Sequence, residues 1–140
     1  MLLQVYLGDE KINDKEILSS AFKNYKLHFD YEPRPYALMI HDMDAPFPSN
    51  NLESPFLHYL VVNIHGNDVE KGDVIVPYMA PSPPETSRPH TYVVTLYSQE
   101  SVVSSAPLMI KRERVDLKEI IAKYNLKFVT KAKFFSVYKQ

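Results

Sequence analysis

Three short apolar segments of the sequence, residues 36–44, 57–64 and 90–96, each carry polar side chains at one end. A β-strand places every second side chain on the same face of a sheet, so these polar groups share a face with apolar residues. An unpaired carboxylate or imidazole on a core-facing position is costly. The segments therefore predict three strands of one β core whose ends form a shared polar pocket. The period groups Asp42 and Asp44 with Tyr36, Leu38 and Ile40; His58 with Leu60, Val62 and Ile64; and His90 with Tyr92, Val94 and Leu96.

Further short apolar runs, separated by proline, glycine and asparagine, extend the β pattern along the chain. Short strands divided by turn residues are typical of an antiparallel sandwich. We predict a mainly β protein, an antiparallel β-sandwich with one or two short helices. The predicted strands are Leu2–Leu7, Lys26–Tyr31, Tyr36–Asp42, Leu57–Ile64, Thr91–Tyr97, Val102–Met109 and Phe134–Tyr138.

One helix is predicted over Leu117–Tyr124, where apolar residues recur at helical spacing. Asp116 precedes it, and Glu119 follows three residues later, which resembles a capping box. Asn125 is expected to end the helix. A second short helical turn is predicted to begin near Asn13.

Composition predicts one folded domain spanning residues 1–140. Apolar residues make up 45% of the chain, which argues against disorder and suffices for a core. The chain has no cysteine, which excludes disulfides and thiolate metal sites and agrees with a reducing cytosol. No apolar run reaches the roughly 18 residues of a membrane span, and the N-terminal residues lack the basic region of a signal peptide. We expect a cytoplasmic protein without a transmembrane segment.

Charge is distributed unevenly along the chain. Residues 1–110 hold 7 lysines and arginines against 14 acidic residues, whereas residues 111–140 hold 9 against 3. One interpretation is two solvated faces of one domain. The other is a basic patch that meets anionic lipid or an acidic partner, so peripheral membrane contact stays open. No nucleic-acid-binding motif accompanies the basic stretch, so nucleic acid is not expected as a partner.

Four motifs occur in a distinctive order along the chain: Asp42-Met-Asp44-Ala-Pro46, Leu57-His58-Tyr59, Tyr78-Met-Ala-Pro-Ser-Pro-Pro84 and His90-Thr-Tyr92. Together they resemble the motifs of the phosphatidylethanolamine-binding protein family, which includes the Raf kinase inhibitor proteins. The resemblance is dense from about residue 36 to residue 99, and residues 132–138 resemble the closing strand of that family. It implies the sandwich of this family.

The resemblance further implies a small anion-binding cavity for phosphate or a phosphoethanolamine-like lipid headgroup. It implies a non-enzymatic protein that needs no cofactor or metal and modulates a signalling partner such as a kinase. The ligand-binding residues that it implies are Asp42, Asp44, Pro46, His58, Tyr78, Pro84, His90, Tyr92 and Tyr138.

Imidazole and phenol groups can donate hydrogen bonds to phosphate oxygens, and an aspartate can fix the tautomer of a histidine. On this interpretation phosphate binds better as the pH falls through about 6–7. Two alternatives use the same residues. Histidines with carboxylates match the ligand chemistry of a metal site, and a hydrolase would combine His and Asp with Ser82 or Ser87.

The segment from Pro77 to Pro89 contains five prolines, which exclude a helix or a central strand and predict a stiff loop. This loop departs from the family, because Glu85-Thr-Ser-Arg88-Pro89 replaces the usual glycines. Met43 and Thr91 also stand where the family commonly has a proline and a basic residue. Family members commonly have a cis peptide bond before the strand of His58, so we predict that Ser54–Pro55 is cis.

Overall fold

The computed structural model describes residues 3–7, 10–11, 25–79 and 90–136, which form eight strands, one α-helix and one 3-10 helix. All strand pairs are antiparallel, in a three-stranded sheet of order β2-β1-β3 and a five-stranded sheet of order β6-β5-β4-β7-β8. The predicted mainly β fold is confirmed. The elements are β1 (Gln4–Leu7), β2 (Glu10–Lys11), β3 (Tyr25–His28), β4 (Pro35–Asp42), β5 (Phe56–His65), the 3-10 helix (Val69–Lys71), β6 (Asp73–Val76), β7 (His90–Ser98), α1 (Leu117–Lys123) and β8 (Lys127–Ser136).

The two sheets pack face to face around a shared apolar core. Val5 and Leu27 of the small sheet, with Leu3 just before β1, belong to the same buried cluster as Leu38 and Phe134 of the large sheet. Side chains from two inner faces fill the core of a sandwich in this way. The packing therefore agrees with the predicted sandwich.

The opposite face of the five-stranded sheet is also covered. Ile120 and Tyr124 at helix α1 pack in a second buried cluster with Met39 and Leu60 of strands β4 and β5. Because both faces are buried, strand β4 does not alternate between buried and exposed residues, and Pro35–Ile40 are all buried. The large sheet is thus a rigid middle layer, and its strand ends carry the polar residues of the predicted pocket.

The predicted helix is confirmed, and its caps explain its bounds. The Asp116 side chain accepts a hydrogen bond from the Glu119 N–H at 3.1 Å, which satisfies a donor of the first turn. The helix ends at Lys123, and Asn125 follows with a φ of 51°, a left-handed conformation that asparagine tolerates. The turn predicted near Asn13 lies outside the described residues.

The strand predicted over Val102–Met109 is wrong, and the one predicted over Phe134–Tyr138 has the wrong start. Residues 102–109 form no strand, because their segment is held by side chains: Asn63 exchanges hydrogen bonds of 2.9 Å with the N–H and the carbonyl of Val103. The last strand begins at Lys127 rather than Phe134. Its first half is rich in lysine, but these residues pair with β7 all the same. The short strands β2 and β6 were not predicted.

Peptide geometry confirms one further expectation. Ser54–Pro55 is cis, and Ala45–Pro46 is cis as well. Both bonds lie in the connection from β4 to β5, whose two ends are tied by a 3.0 Å hydrogen bond from the Glu53 N–H to the Ala45 carbonyl. Across the described residues, no helix is both long enough and apolar enough to cross a bilayer.

Candidate functional site

The polar ends of three strands meet at one edge of the large sheet, because β4 lies between β5 and β7. In the strand register, Asp42 is paired with Phe56 of β5 on one side and with Tyr92 of β7 on the other. The end of β4 thus faces the beginnings of both neighbouring strands. This places Asp42 between the strand that carries His58 and the strand that carries His90.

Asp42 and His90 form a buried pair. The His90 Nδ1 atom lies 2.7 Å from Oδ2 of Asp42, and the two side chains are 2% and 4% exposed. The second carboxylate oxygen accepts the Asp44 N–H at 2.7 Å. Both oxygens of Asp42 therefore accept hydrogen bonds, and the carboxylate holds the imidazole in one orientation.

Asp44 ties the end of β4 to the start of β7. Its Oδ2 atom accepts a 2.7 Å hydrogen bond from the Thr91 N–H, and the Met43 N–H donates to the Thr91 carbonyl at 3.1 Å. A carboxylate that satisfies backbone donors holds a turn in place. The described contacts thus give Asp44 a scaffolding role, and its predicted ligand contact stays a prediction.

His58 lies next to Tyr92 as expected, but a strand irregularity places it there, and not the regular alternation that the sequence predicted. Leu57 pairs with His41 and Tyr59 pairs with Ile40, so His58 is an extra residue in strand β5, a β-bulge. The bulge turns its ring to 5.2 Å from the ring of Tyr92, on the inter-sheet side.

The predicted grouping of His58 with Leu60 and Val62 is therefore wrong, whereas His58 and Ile64 do lie on the same side of the sheet. Leu60 and Val62 pack on the helix side of the sheet. Ile64 returns to the inter-sheet core because β5 has a second irregularity, where Asn63 has a φ of 58°. Each irregularity shifts the alternation of faces by one residue.

The ring of His58 is clamped to a single residue of the segment that follows β6. Its Nδ1 atom lies 2.6 Å from the Met79 carbonyl oxygen, and the Met79 N–H donates to the His58 carbonyl at 2.9 Å. Burial lowers the pKa of His58 below the ordinary value of 6.5, and this effect outweighs the hydrogen bond to Met79 and the charge of Asp42, which raise it. The ring is therefore neutral near pH 7.

These contacts fix the tautomers. A carbonyl oxygen and a carboxylate can only accept, so Nδ1 of His58 and Nδ1 of His90 both carry the proton that forms the bond. In a neutral ring, Nε2 is then an acceptor, and it becomes a donor only when the imidazole takes up a proton. A neutral ring must therefore take up a proton before its Nε2 can donate to an anion.

Aromatic rings line the same region. Tyr92 is 1% exposed and lies between the two imidazoles, with its ring centroid 5.2 Å from that of His58 and 6.3 Å from that of His90. Tyr78 packs edge-on against Tyr59 at 5.3 Å and borders the inter-sheet core. Pro46 is half-buried and follows the cis bond two residues after Asp44.

Part of the predicted site lies outside the described residues. This applies to Pro84 and Tyr138, and to Ser82 and Ser87 of the hydrolase alternative. Within the described ranges, no group of three or more His, Cys, Asp or Glu side chains is arranged to hold a metal ion.

Sequence reasoning missed the contributions of Met79, Thr91 and Arg112. Met79 and Thr91 act through backbone groups, for which no side-chain pattern exists. Arg112 donates from Nη1 to the carbonyls of Leu57 and His58 at 3.1 and 3.3 Å, and from Nη2 to that of Pro77 at 2.8 Å. In the sequence it is one of many cations near the C-terminus, and only its partial burial distinguishes it.

The fold and site thus describe a β-sandwich protein with a buried His–Asp pair at a strand edge, and the sequence comparison assigns the family. The family model described as "phosphatidylethanolamine-binding protein" matches residues 12–135. The chain therefore belongs to the phosphatidylethanolamine-binding protein family, and the resemblance seen in its motifs is confirmed.

Known relatives agree with this assignment. Protein MOTHER of FT and TFL1 homolog 2 from Oryza sativa subsp. japonica is 42% identical over 80 residues, which are 56% of this chain and 45% of the rice protein. The match thus spans a little under half the length of that relative. A similar fold occurs in carboxypeptidase Y inhibitor, crystallised with its cognate proteinase, with a TM-score of 0.75, 19% identity and coverage of 98% of this chain and 83% of the other. The phosphatidylethanolamine-binding protein from Plasmodium vivax gives a TM-score of 0.66, 18% identity and coverage of 98% and 85%.

Proposed function

We propose that this protein is a non-enzymatic binding protein whose pocket takes the phosphate group of a phosphoethanolamine-like headgroup. The observation that carries the proposal is the buried pair of His90 and Asp42 beside His58, with Tyr92 between the imidazoles. Imidazoles that are oriented by a carboxylate and a carbonyl are preorganised donors once protonated, and a charge-assisted hydrogen bond to phosphate contributes about 1.5–3 kcal/mol.

The wider ligand set follows the family resemblance. Asp42, Asp44, Pro46, Tyr78, Pro84 and Tyr138 are proposed to border the pocket together with the two histidines and Tyr92. A protein of this kind acts on others by docking, and we propose a signalling partner such as a kinase, in the cytoplasm. The absence of cysteine from the whole sequence agrees with that reducing compartment.

A ligand titration followed by NMR tests the pocket. Phosphoethanolamine should shift backbone signals of residues 42–44, 58 and 90–92 saturably, and inorganic phosphate should reproduce these shifts while ethanolamine should not. His58→Ala should weaken binding by about 10- to 100-fold, since it removes one charge-assisted donor. His65→Ala is the matched control, because His65 is exposed at the far end of the same strand.

Equal affinity in the two histidine variants would count against His58 as a ligand. If phosphate and phosphoethanolamine both left the spectrum unchanged up to millimolar concentration, the anion pocket itself would be disproved. Anionic vesicles added to the same labelled protein separate a membrane-bound headgroup from a soluble phosphate compound, because only membrane binding broadens all signals together.

The pH dependence of binding tests the proton that the tautomers require. Since burial lowers the pKa of His58, its ring is neutral near pH 7 in the free protein and takes up a proton when the anion binds. Affinity should rise as the pH falls from about 8 to about 5.5, by up to about tenfold per pH unit for each proton taken up. The sulfate ester of ethanolamine is the better probe, because its charge stays constant over this range while phosphate itself titrates.

Calorimetry in two buffers that differ in ionisation enthalpy gives the number of protons directly. One proton taken up per bound sulfate ester is the expected result near pH 7. A flat affinity profile with no proton uptake would mean that the histidines do not donate to the anion.

A further inference from the structure

Arg112 joins two segments of the chain beside His58. Its guanidinium donates to the carbonyls of Leu57 and His58 in strand β5 and to the carbonyl of Pro77 in the segment after β6. Its own backbone carbonyl accepts the Leu57 N–H at 2.9 Å. The backbone of Arg112 is therefore hydrogen-bonded to β5, and its side chain bridges from β5 to Pro77.

The carbonyls that Arg112 binds surround the bulge at His58. A bulge interrupts the ladder of strand hydrogen bonds, so its backbone groups need other partners. Pro77 lies two residues before Met79, whose carbonyl holds the His58 ring. The guanidinium of Arg112 thus binds the backbone on both sides of the His58–Met79 hydrogen bond, at His58 itself and at Pro77 near Met79.

We propose that Arg112 is the positioning residue of the pocket: by bridging the β5 bulge to the 77–79 segment, it keeps the Met79 carbonyl in place to orient His58. The proposal rests on the binding function proposed above, and it adds a residue that does not itself need to touch the ligand. It also gives a reason for an arginine at this point. A planar guanidinium presents several N–H donors in a fixed fork, whereas a lysine ammonium is a compact point charge on a flexible stem.

A purely electrostatic role is the alternative to test against. The charge of Arg112 disfavours protonation of His58, and the hydrogen bond to Met79 favours it. If Arg112 acts only as a nearby charge, its removal leaves the His58–Met79 hydrogen bond intact. If it positions the segment, its removal loosens that hydrogen bond and frees the ring to change tautomer. The tautomer of His58 therefore separates the two roles.

The test compares Arg112→Met, Arg112→Lys and Arg114→Met with the wild-type full chain. Arg114 is a matched control, because it carries the same charge in the same segment, and its substitution keeps the backbone N–H that donates to the Glu53 carbonyl. The readouts are the ¹⁵N shifts of the His58 ring, which report the fraction with the proton on Nδ1, and the affinity for phosphoethanolamine.

Arg112→Met should shift His58 from a single Nδ1–H tautomer to a mixture and weaken binding by about tenfold or more, the scale on which outer hydrogen-bond partners act. Arg112→Lys should restore part of both properties, and Arg114→Met should leave both unchanged. An unchanged Nδ1–H tautomer in a folded Arg112→Met or Arg112→Lys protein would overturn the proposal, as would an equal effect of Arg114→Met.

The tautomer readout needs no ligand, so the two proposals fail separately. A wild-type protein that shows the Nδ1–H tautomer but binds no phosphate would contradict the proposed function and leave the role of Arg112 in orienting His58 to be decided by its own variants. If Arg112→Met does not fold, Arg112→Lys decides the outcome, since it keeps the charge but loses the fork.

Discussion

Replacing Asp42 with alanine should lower the free energy of unfolding by about 3–5 kcal/mol, the cost of removing one partner of a buried pair. Asp42 accepts hydrogen bonds from Nδ1 of His90 and from the Asp44 N–H, both at 2.7 Å, and its side chain is 4% exposed. Truncation leaves both donors without this acceptor inside the protein. Urea denaturation of the two proteins at pH 7 measures the difference.

Two further substitutions make this test specific. Asp42→Asn keeps the size of the side chain and one acceptor oxygen but removes its charge, so its loss of stability should be intermediate. Asp30→Ala is the control for an exposed aspartate and should change stability by about 0.5 kcal/mol at most. A loss below about 1 kcal/mol for Asp42→Ala would show that the pair contributes little to the folded state.

Replacing His41 with phenylalanine should remove much of the acid sensitivity of the protein. Burial lowers the pKa of His41 from 6.5 to about 4, with Lys131 and His58 adding to this effect and Asp42 opposing it. The unfolded chain therefore binds more protons than the folded protein below about pH 6.5, and stability falls as the pH falls. This group alone accounts for a loss of about 2 kcal/mol between about pH 7 and pH 5.

The substitution is well suited to the site. The buried Nδ1 atom of His41 has no hydrogen-bond partner among the residues that the structure describes, so an apolar ring sacrifices no bond there. Denaturation at both pH values should show a smaller acid loss for His41→Phe than for wild type. The exposed His65 supplies the control variant His65→Phe, which should keep the wild-type pH dependence. Equal acid loss in His41→Phe and wild type would contradict the prediction.

The alternation of side chains along a strand predicted correctly that Asp42 and His90 lie on the same side of the sheet. It did so because β4 and β7 pair without interruption. Every residue from Tyr36 to Asp42 faces one partner between Ser98 and Tyr92, so the alternation read from the sequence survives to the strand ends. The family resemblance independently indicated the same residues. Side chains on regular strands are predictable because local alternation alone decides their face.

The same reasoning failed for His58 because β5 is not regular. Its two irregularities shift the faces of the strand, and they depend on contacts that arrive from distant parts of the chain. Arg112 binds the carbonyls at the first, and Gln99 accepts the Asn63 N–H at the second, at 2.9 Å. Neither contact leaves a periodic signal near His58.

The amino-acid sequence was sufficient to predict the family, the mainly β fold, the capped helix after Asp116 and the side of the sheet on which Asp42 and His90 lie. These features follow from local alternation, caps and the order of motifs, which neighbouring residues specify. Three features became visible only in the folded protein: the bulge at His58, the hydrogen bond between its ring and the Met79 carbonyl, and the hydrogen bond from Arg112 to Pro77. Those features depend on backbone N–H and carbonyl groups that lack a strand partner once the sheet has formed. Every residue carries such groups, so the sequence does not show which of them will be left unpaired.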